Sequence, residues 1–294
     1  MSDLEGNLSY PLFWYNEVTS TMDKARELLG AGSPAAGADM FAVVAEHQMN
    51  GRGTRGRDWI SAQNNLYLTI ALKRSLVNIP ITLLPLRIGT IVASCVARRV
   101  DNGDEKVKLK WPNDVLIDSK KACGVLIEMD GDMLLIGIGC NVMVAPDVHS
   151  SGSGLRPSTC IAAHSAELAE AARNLASKPS VSGAVVGSSG ETARAAVEEG
   201  LGKLQLSLQE GDYHKMLAVE LCNSVDRWMQ GQDDRAELVL QDFTRNMDFS
   251  PQRLRDLDAA TGTVLPLELM PDGTLKVKYV HNGSEATLVA EYLW

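Results

Sequence analysis

The sequence predicts an α+β protein that ends in a small β-barrel. Two observations carry this reading. β-like apolar runs and helical periodicities alternate through roughly the first 145 residues. The last stretch, from about 250 to 294, changes to four or five short β runs separated by tight turns. A chain of 294 residues is long enough for one large domain and a small one. The expected division is 1–248 for the larger unit and 249–294 for the smaller.

After a short lead, Val18-Thr19-Ser20-Thr21-Met22-Asp23 reads as a helix start. Ser20 is placed to cap it, with Asp23 three residues on as a weaker form of the capping box. Met22, Ala25, Leu28 and Leu29 follow at helical spacing, and Gly30, Gly32 and Pro34 end the helix. A strand at about 40–46 passes through Glu46-His47-Gln48, and a second covers about 65–73. His47 reads as structural. Residues 82–100 form a core helix with Pro85 tolerated near its start. Lys108-Leu109-Lys110 alternates like a strand and runs into Trp111-Pro112-Asn113-Asp114, where Trp-Pro halts the ladder and Asn-Asp sits in a turn. A hairpin-like pair follows over 115–128, with Lys121 at its bend, and Asp130-Gly131-Asp132 makes another turn.

In the next run, Leu134 to Asn141, the glycines Gly137 and Gly139 stand two apart. In a strand that spacing means something approaches one face closely. From 146 to about 205 the composition shifts to Ser, Gly and Ala, an insertion with no visible chemistry. Within it 166–176 is helical, and Pro179 to Gly190 is low in complexity. Residues 212–232 read as an amphipathic helix ending near Gly231. The C-terminal β runs are carried by Leu254, Leu257, Thr263-Val264-Leu265, 275–280 and 286–289, with turns at Thr261-Gly262, Pro271-Asp272-Gly273 and Asn282-Gly283.

The most informative stretch is Gly51-Arg52-Gly53-Thr54-Arg55-Gly56-Arg57, directly after an apolar run. Glycine lets backbone amides approach a ligand, successive amides form an anion-binding nest, and arginine forks match phosphate or carboxylate oxygens. The competing reading is a solvated charged turn. Gly51, Gly53 and Gly56 also match the dinucleotide fingerprint, but no helix pattern follows and positions 71–80 hold no Asp or Glu for a ribose. An oxidoreductase is therefore disfavoured. Asn113 and Asp114 at a strand end suit a magnesium ion that shares its ligands with phosphates, although Pro-Asn-Asp also suits a plain turn.

Twenty-eight basic against 37 acidic residues leave a net charge of −9. This argues against general nucleic-acid binding and makes the arginine loop a local feature. Five widely spaced cysteines contain no C-x-x-C pair, so neither a disulfide framework nor a zinc site is suggested. They read as buried thiols in a reducing compartment. With no signal-peptide profile and no apolar run near 18 residues, a cytoplasmic protein without a membrane segment is expected.

In order, Ser20-Thr21, Glu46-His47-Gln48, the glycine–arginine loop with Asp58-Trp59, Lys110-Trp111-Pro112-Asn113-Asp114, Lys121-Ala122-Cys123-Gly124 and Gly137-Ile138-Gly139-Cys140-Asn141 resemble biotin–protein ligases (holocarboxylase synthetases). The likeness is strong over about residues 15–145 and architectural in the C-terminal barrel. It implies a class II synthetase-like fold, a mixed sheet packed with helices, followed by an SH3-like barrel. It also implies a reaction in two steps. Biotin and ATP give biotinyl-adenylate, and a lysine of a biotin carboxyl carrier domain of a biotin-dependent carboxylase then takes the biotinyl group.

By this resemblance Ser20, Thr21 and Gln48 would bind the ureido ring, and Gly51, Arg52, Gly53, Gly124, Gly137 and Gly139 would line the biotin site. Arg52, Arg55 and Arg57 would hold phosphates, with Trp59 over adenine and Lys110 and Asn141 at the nucleotide. Asp114 and Asn113 would bind Mg²⁺–phosphate, and Lys121 would bridge carboxylate and α-phosphate. Catalysis would fall to Lys121, Arg52 and Asp114. The chain departs from the family at Thr54, where bacterial relatives often carry Arg, and at Met22, where Asn is common. The start of the sequence leaves no room for the DNA-binding domain of bifunctional relatives, so a monofunctional ligase without repressor activity is expected. Lipoate–protein ligase, with the same fold and adenylate chemistry, and a non-catalytic biotin-binding module are the alternatives.

Overall fold

A computed structural model describes residues 8–147, 157–177, 212–231, 235–253 and 262–290. The expected β runs at Leu254 and Leu257, the low-complexity run from Pro179 to Gly190 and the first seven residues lie outside it.

The larger unit is a seven-stranded mixed sheet. Its strands are β1 (Leu12–Val18), β2 (Met40–Gln48), β5 (Leu66–Lys73), β6 (Val107–Lys110), β7 (Asp114–Ile117), β8 (Lys120–Asp130) and β9 (Met133–Cys140), in the order β1-β2-β5-β9-β8-β7-β6. β1 and β2 are parallel and every other pair is antiparallel. Both faces are covered, so the central strands read as unbroken apolar runs rather than alternating ones. Phe41, Val43 and Ala71 face α1 (Thr21–Leu29), while Met40, Ala42, Val44 and Ile70 face the opposite layer. That layer holds α2 (Leu84–Ala97), α5 (Tyr213–Gln230) and α6 (Ala236–Arg245). Leu84, Leu86, Ile88, Val92 and Val96 of α2 are buried, each contributing about 1.5–3 kcal/mol of transfer free energy.

Local chemistry sets the element ends. Ser20 caps α1 by accepting from Met22 N at 3.1 Å and Asp23 N at 3.4 Å. The Asp23 carboxylate binds Arg26 and Arg52 instead of completing a capping box. Pro85 lies in the first turn of α2, where its missing N–H costs nothing. The β7–β8 turn puts Asp118 and Ser119 at φ 47° and 62°, and Gly131 at φ 59° turns β8 into β9. Lys121 lies just inside β8 rather than at the bend. A short helical turn, α3 (Gly103–Lys106), leads into β6, and α4 (Ala166–Ser177) and α5 fall where periodicity predicts them. All five cysteines are buried free thiols.

Among the elements of seven residues or more, two escape the sequence reading. β1 is an edge strand in which the consecutive residues Asn16 and Glu17, near its C-terminal end, are exposed, which breaks the alternation. In α6 only Val239 and Phe243 are buried, one turn apart, which is too short a stripe to register.

The C-terminal stretch is a small antiparallel sheet of β10 (Gln252–Arg253), β11 (Thr263–Leu269), β12 (Leu275–Tyr279) and β13 (Glu285–Leu288) in that order. Val264, Leu275 and Val277 join the main hydrophobic core. The β11–β12 turn docks on the larger unit. There Trp111 Nε1 donates to Gly273 O at 3.0 Å, and a Cβ on Gly273 would lie 2.9 Å from Leu83 Cδ2 and 3.0 Å from Thr82 O. Gly273 also sits at φ +85°, where a side chain is strained. Gly273→Ala should therefore lower stability by about 1–3 kcal/mol, read as a lower urea midpoint with an unchanged m-value.

Candidate active site

The glycine–arginine loop is a short hairpin. β3 (Gly51–Arg52) pairs with β4 (Asp58–Trp59), with Gly51 opposite Trp59. Its tip holds Arg55 at φ 61° and Gly56 at φ 65°, and Gly53 N donates to Arg57 O at 2.7 Å. Strands follow the glycines where a dinucleotide fold would open a helix, so the fingerprint match is accidental. Arg57 donates from Nε to Thr54 O at 2.7 Å and also bonds the Thr54 hydroxyl. Thr54, the departure from the family pattern, thus orients an arginine of its own loop. Arg52 binds Asp23, and Glu128 at 3.4 Å, in a cluster shared with Arg26. The guanidinium expected at phosphate ties the hairpin to α1 and β8.

The floor beneath the hairpin is bare backbone. Gly124 on β8 and Gly139 on β9 face each other across the sheet, and the Trp59 ring lies directly on them. A Cβ on Gly139 would come 2.5 Å from Trp59 Cε2, and one on Gly124 would come 3.0 Å from Trp59 Cζ3. At Gly137 the neighbour is Met22, whose Sδ would be 2.9 Å from a Cβ. The close approach expected at these glycines is therefore made by the protein's own side chains. Trp59, expected over adenine, packs against the pair of glycines, with Lys121 Nζ 5.3 Å from its ring centroid and its Nε1 buried without a partner among the described residues.

Ser20, Thr21 and Gln48 meet at the start of α1 and the end of β2, all buried. Gln48 Oε1 accepts from Thr21 N at 2.8 Å and Thr21 Oγ1 at 3.1 Å. Gly51 lies beside this pair, since a Cβ there would be 2.9 Å from Gln48 Nε2 and 2.6 Å from Trp59 O. Through Gly51 and Trp59 the polar pair is continuous with the charged centre. His47 lies opposite Glu17 of β1, away from Thr21.

That centre is Asp114, held by Lys121 Nζ at 2.6 Å and Lys110 Nζ at 3.7 Å. Burial pushes its carboxyl up, but the charges of Lys121, Lys110 and Arg57 outweigh this and bring it down to about 2. Three cations around one carboxylate leave the centre net positive. Asn113 donates from Nδ2 to Val125 O at 2.6 Å. Asn141 is buried and donates to Thr159 O at 3.0 Å, and its Oδ1 has no partner among the described residues. The same segment flanks Lys121, because Lys121 N donates to Pro157 O and Thr159 N to Lys121 O, both at 2.9 Å. The insertion at 146–205, in which no chemistry is expected, contributes its 157–159 part as the backbone partner of the central lysine. Nothing in that Ser/Gly/Ala-rich composition signals the pairing.

A depressed carboxyl stabilises the fold above its unfolded value of 3.8 and loses that contribution as pH falls toward about 2. Asp114→Asn should therefore cost about 2 kcal/mol at pH 6. The difference from wild type, measured by urea unfolding, should shrink as the pH falls from about 4 toward about 2.

Residues 17–142 match the model of the biotin/lipoate A/B protein ligase family. A Mycobacterium tuberculosis biotin–[acetyl-CoA-carboxylase] ligase is 33% identical over 134 residues, which cover 44% of this chain and 50% of that protein. The chain spans half or less of the length of the curated relatives it matches. Among solved structures, the Leishmania major biotin protein ligase in complex with biotinyl-5-AMP superposes with a TM-score of 0.59 at 28% identity, over 95% of this chain and 99% of that one. The Aquifex aeolicus biotin protein ligase in complex with biotin and ATP shares the fold, with a TM-score of 0.58 at 20% identity, over 95% of this chain and 99% of that one. Sequence and architecture agree over this region: residues 17–142 carry a domain of the biotin/lipoate A/B protein ligase family.

Proposed function

We propose that the protein is an ATP-dependent biotin–protein ligase acting in the cytoplasm. The observation that carries the reading is the net-positive Lys121–Asp114–Lys110 centre, joined through Trp59 and Gly51 to the buried Thr21–Gln48 pair. One end offers hydrogen bonds in an apolar setting, as a neutral heterocycle requires. The other offers cations, as a carboxylate meeting a triphosphate requires. The names of the relatives and the adenylate bound by the L. major protein point the same way.

In the first step a biotin carboxylate oxygen bonds to the α-phosphorus of ATP, and pyrophosphate leaves with the electrons of the broken P–O bond. Two anions must approach, and charge builds on the phosphoryl oxygens. Preorganised cations in a partly buried site offset both effects. Lys121, with Asp114 holding it in place, is the central cation, and Lys110 and Arg57 add to the field. In the second step the amine of an acceptor lysine attacks the biotinyl carbonyl, an amide forms and AMP leaves. We assign the acceptor to biotin carboxyl carrier domains, and the adenylate chemistry to residues 1–248 rather than to the small unit at 249–294.

Magnesium fits as an ion carried in with the nucleotide. Among the described residues no three His, Cys, Asp or Glu side chains cluster. Asp114, with Asn113 beside it, would supply one or two oxygens to an ion that draws the rest from phosphate and water. Such an ion would neutralise phosphate charge. Among the described residues no helix is long and apolar enough to cross a membrane.

Biotin-dependent ATP–pyrophosphate exchange with Mg²⁺, run beside lipoate, tests the reading. Exchange with biotin alone is expected, and exchange with lipoate alone would keep the family and overturn the substrate. Lys121→Ala should reduce exchange roughly 10²-fold or more while the protein stays folded. Full activity in that variant would refute the catalytic assignment.

A further inference from the structure

Thr69 lies in β5 between Leu68 and Ile70 and is completely buried. It faces Gly137 across the sheet, on the side that α1 covers. A buried hydroxyl needs a partner, and among the described residues Thr69 finds one, Thr21 Oγ1 at 2.8 Å. The directions of these bonds follow from a donor that cannot be reversed. The Thr21 backbone N–H can only donate, so the Gln48 atom it meets at 2.8 Å is the oxygen. The Thr21 hydroxyl, 3.1 Å from that same oxygen, also donates to it. Its lone pair then accepts from Thr69. This is the one arrangement in which both hydroxyl protons are used.

The consequence falls on Gln48. With Oε1 occupied by both Thr21 donors, the amide presents its Nε2 hydrogens toward the hairpin. There, among the described residues, they meet Ser61 Oγ at 3.5 Å. We propose that Thr69 is a positioning residue for substrate selection: through Thr21 it orders the Gln48 amide, so that the site offers hydrogen-bond donors to a carbonyl oxygen of the ureido type. The inference rests on the biotin reading. Thr69 itself touches no reacting atom. Removing its hydroxyl leaves the Thr21 lone pair without its donor, so the Thr21 hydroxyl can rotate away from Gln48 Oε1 and the Thr21 backbone N–H is left to hold the amide with one bond instead of two.

The test is steady-state ATP–pyrophosphate exchange with the full chain, comparing wild type with Thr69→Val, Thr69→Ala and Thr69→Ser. Val keeps the shape without the donor, Ala removes the donor without adding bulk, and Ser keeps the donor. Val and Ala should raise the KM for biotin about three- to tenfold. KM for ATP and kcat should stay within about twofold, and Ser should match wild type. An unchanged biotin KM in Val and Ala overturns the proposal, as does a parallel rise in both KM values, the mark of a merely structural residue. Thermal midpoints of all four proteins identify a variant that has failed to fold, in which case the remaining donor-less variant decides. Wild-type exchange that is indifferent to biotin would overturn the functional reading itself. Biotin-dependent exchange unmoved by Val and Ala would overturn this inference alone.

Discussion

The site depends on the contact between the Trp59 ring and the backbone of Gly124 and Gly139. Two neighbouring strands lack side chains at facing positions, and this leaves a hollow in an otherwise filled sheet face. A ring that packs into it buries apolar area that no smaller side chain would cover. It also fixes the end of the glycine–arginine hairpin, because Trp59 is the last residue of β4. Arg52 pins the other arm to Asp23 and Glu128. The hairpin is therefore held at two points, one apolar and one ionic. Exposed ion pairs contribute little individually, so the ring contact is the stronger hold.

Electrostatics then shape what the hollow can do. Lys121 and Lys110 would repel one another without Asp114 between them, and Arg57 adds a third charge to the same carboxylate. The carboxylate keeps the cations together while leaving them in excess. An anionic substrate enters a field already assembled, with little reorganisation left for the moment of reaction. The same carboxylate lies beside Asn113, so lysine placement and phosphate handling meet at one turn. The sheet supplies the rigidity: Lys121 and Gly124 share β8, and Gly137 and Gly139 share β9, so their spacing follows from strand geometry rather than from a loop.

Much of the fold was legible because its signals are local. Apolar runs at about 40–46, 65–73 and 134–141, the Ser20 cap, Pro85 and the turn residues each act within a few positions, and each element forms within a few residues of where they predict it. β1 was not legible, since an edge strand with two consecutive exposed residues, Asn16 and Glu17, breaks the usual alternation. α6 was not, since two buried residues in ten make a weak stripe. In the site, the spacing of Gly137 and Gly139 announced a close approach but could not say which group makes it. Trp59 and Met22 come from elements far away in sequence.

By itself the sequence determined the resemblance to biotin–protein ligases, the loop with its permanent charges, and the residues whose types suit adenylate chemistry, because these are properties of identity and short spacing. Tertiary structure alone decided their partners. It turned Arg52 toward two carboxylates, laid 157–159 along Lys121, placed Thr54 under Arg57, and joined Thr69, Thr21 and Gln48 into one ordered chain of hydrogen bonds. Each pairing except that of Thr54 with Arg57 joins segments tens of residues apart. The chain closes those distances only when the sheet and its two helical layers pack, and no local pattern encodes which side chains then meet.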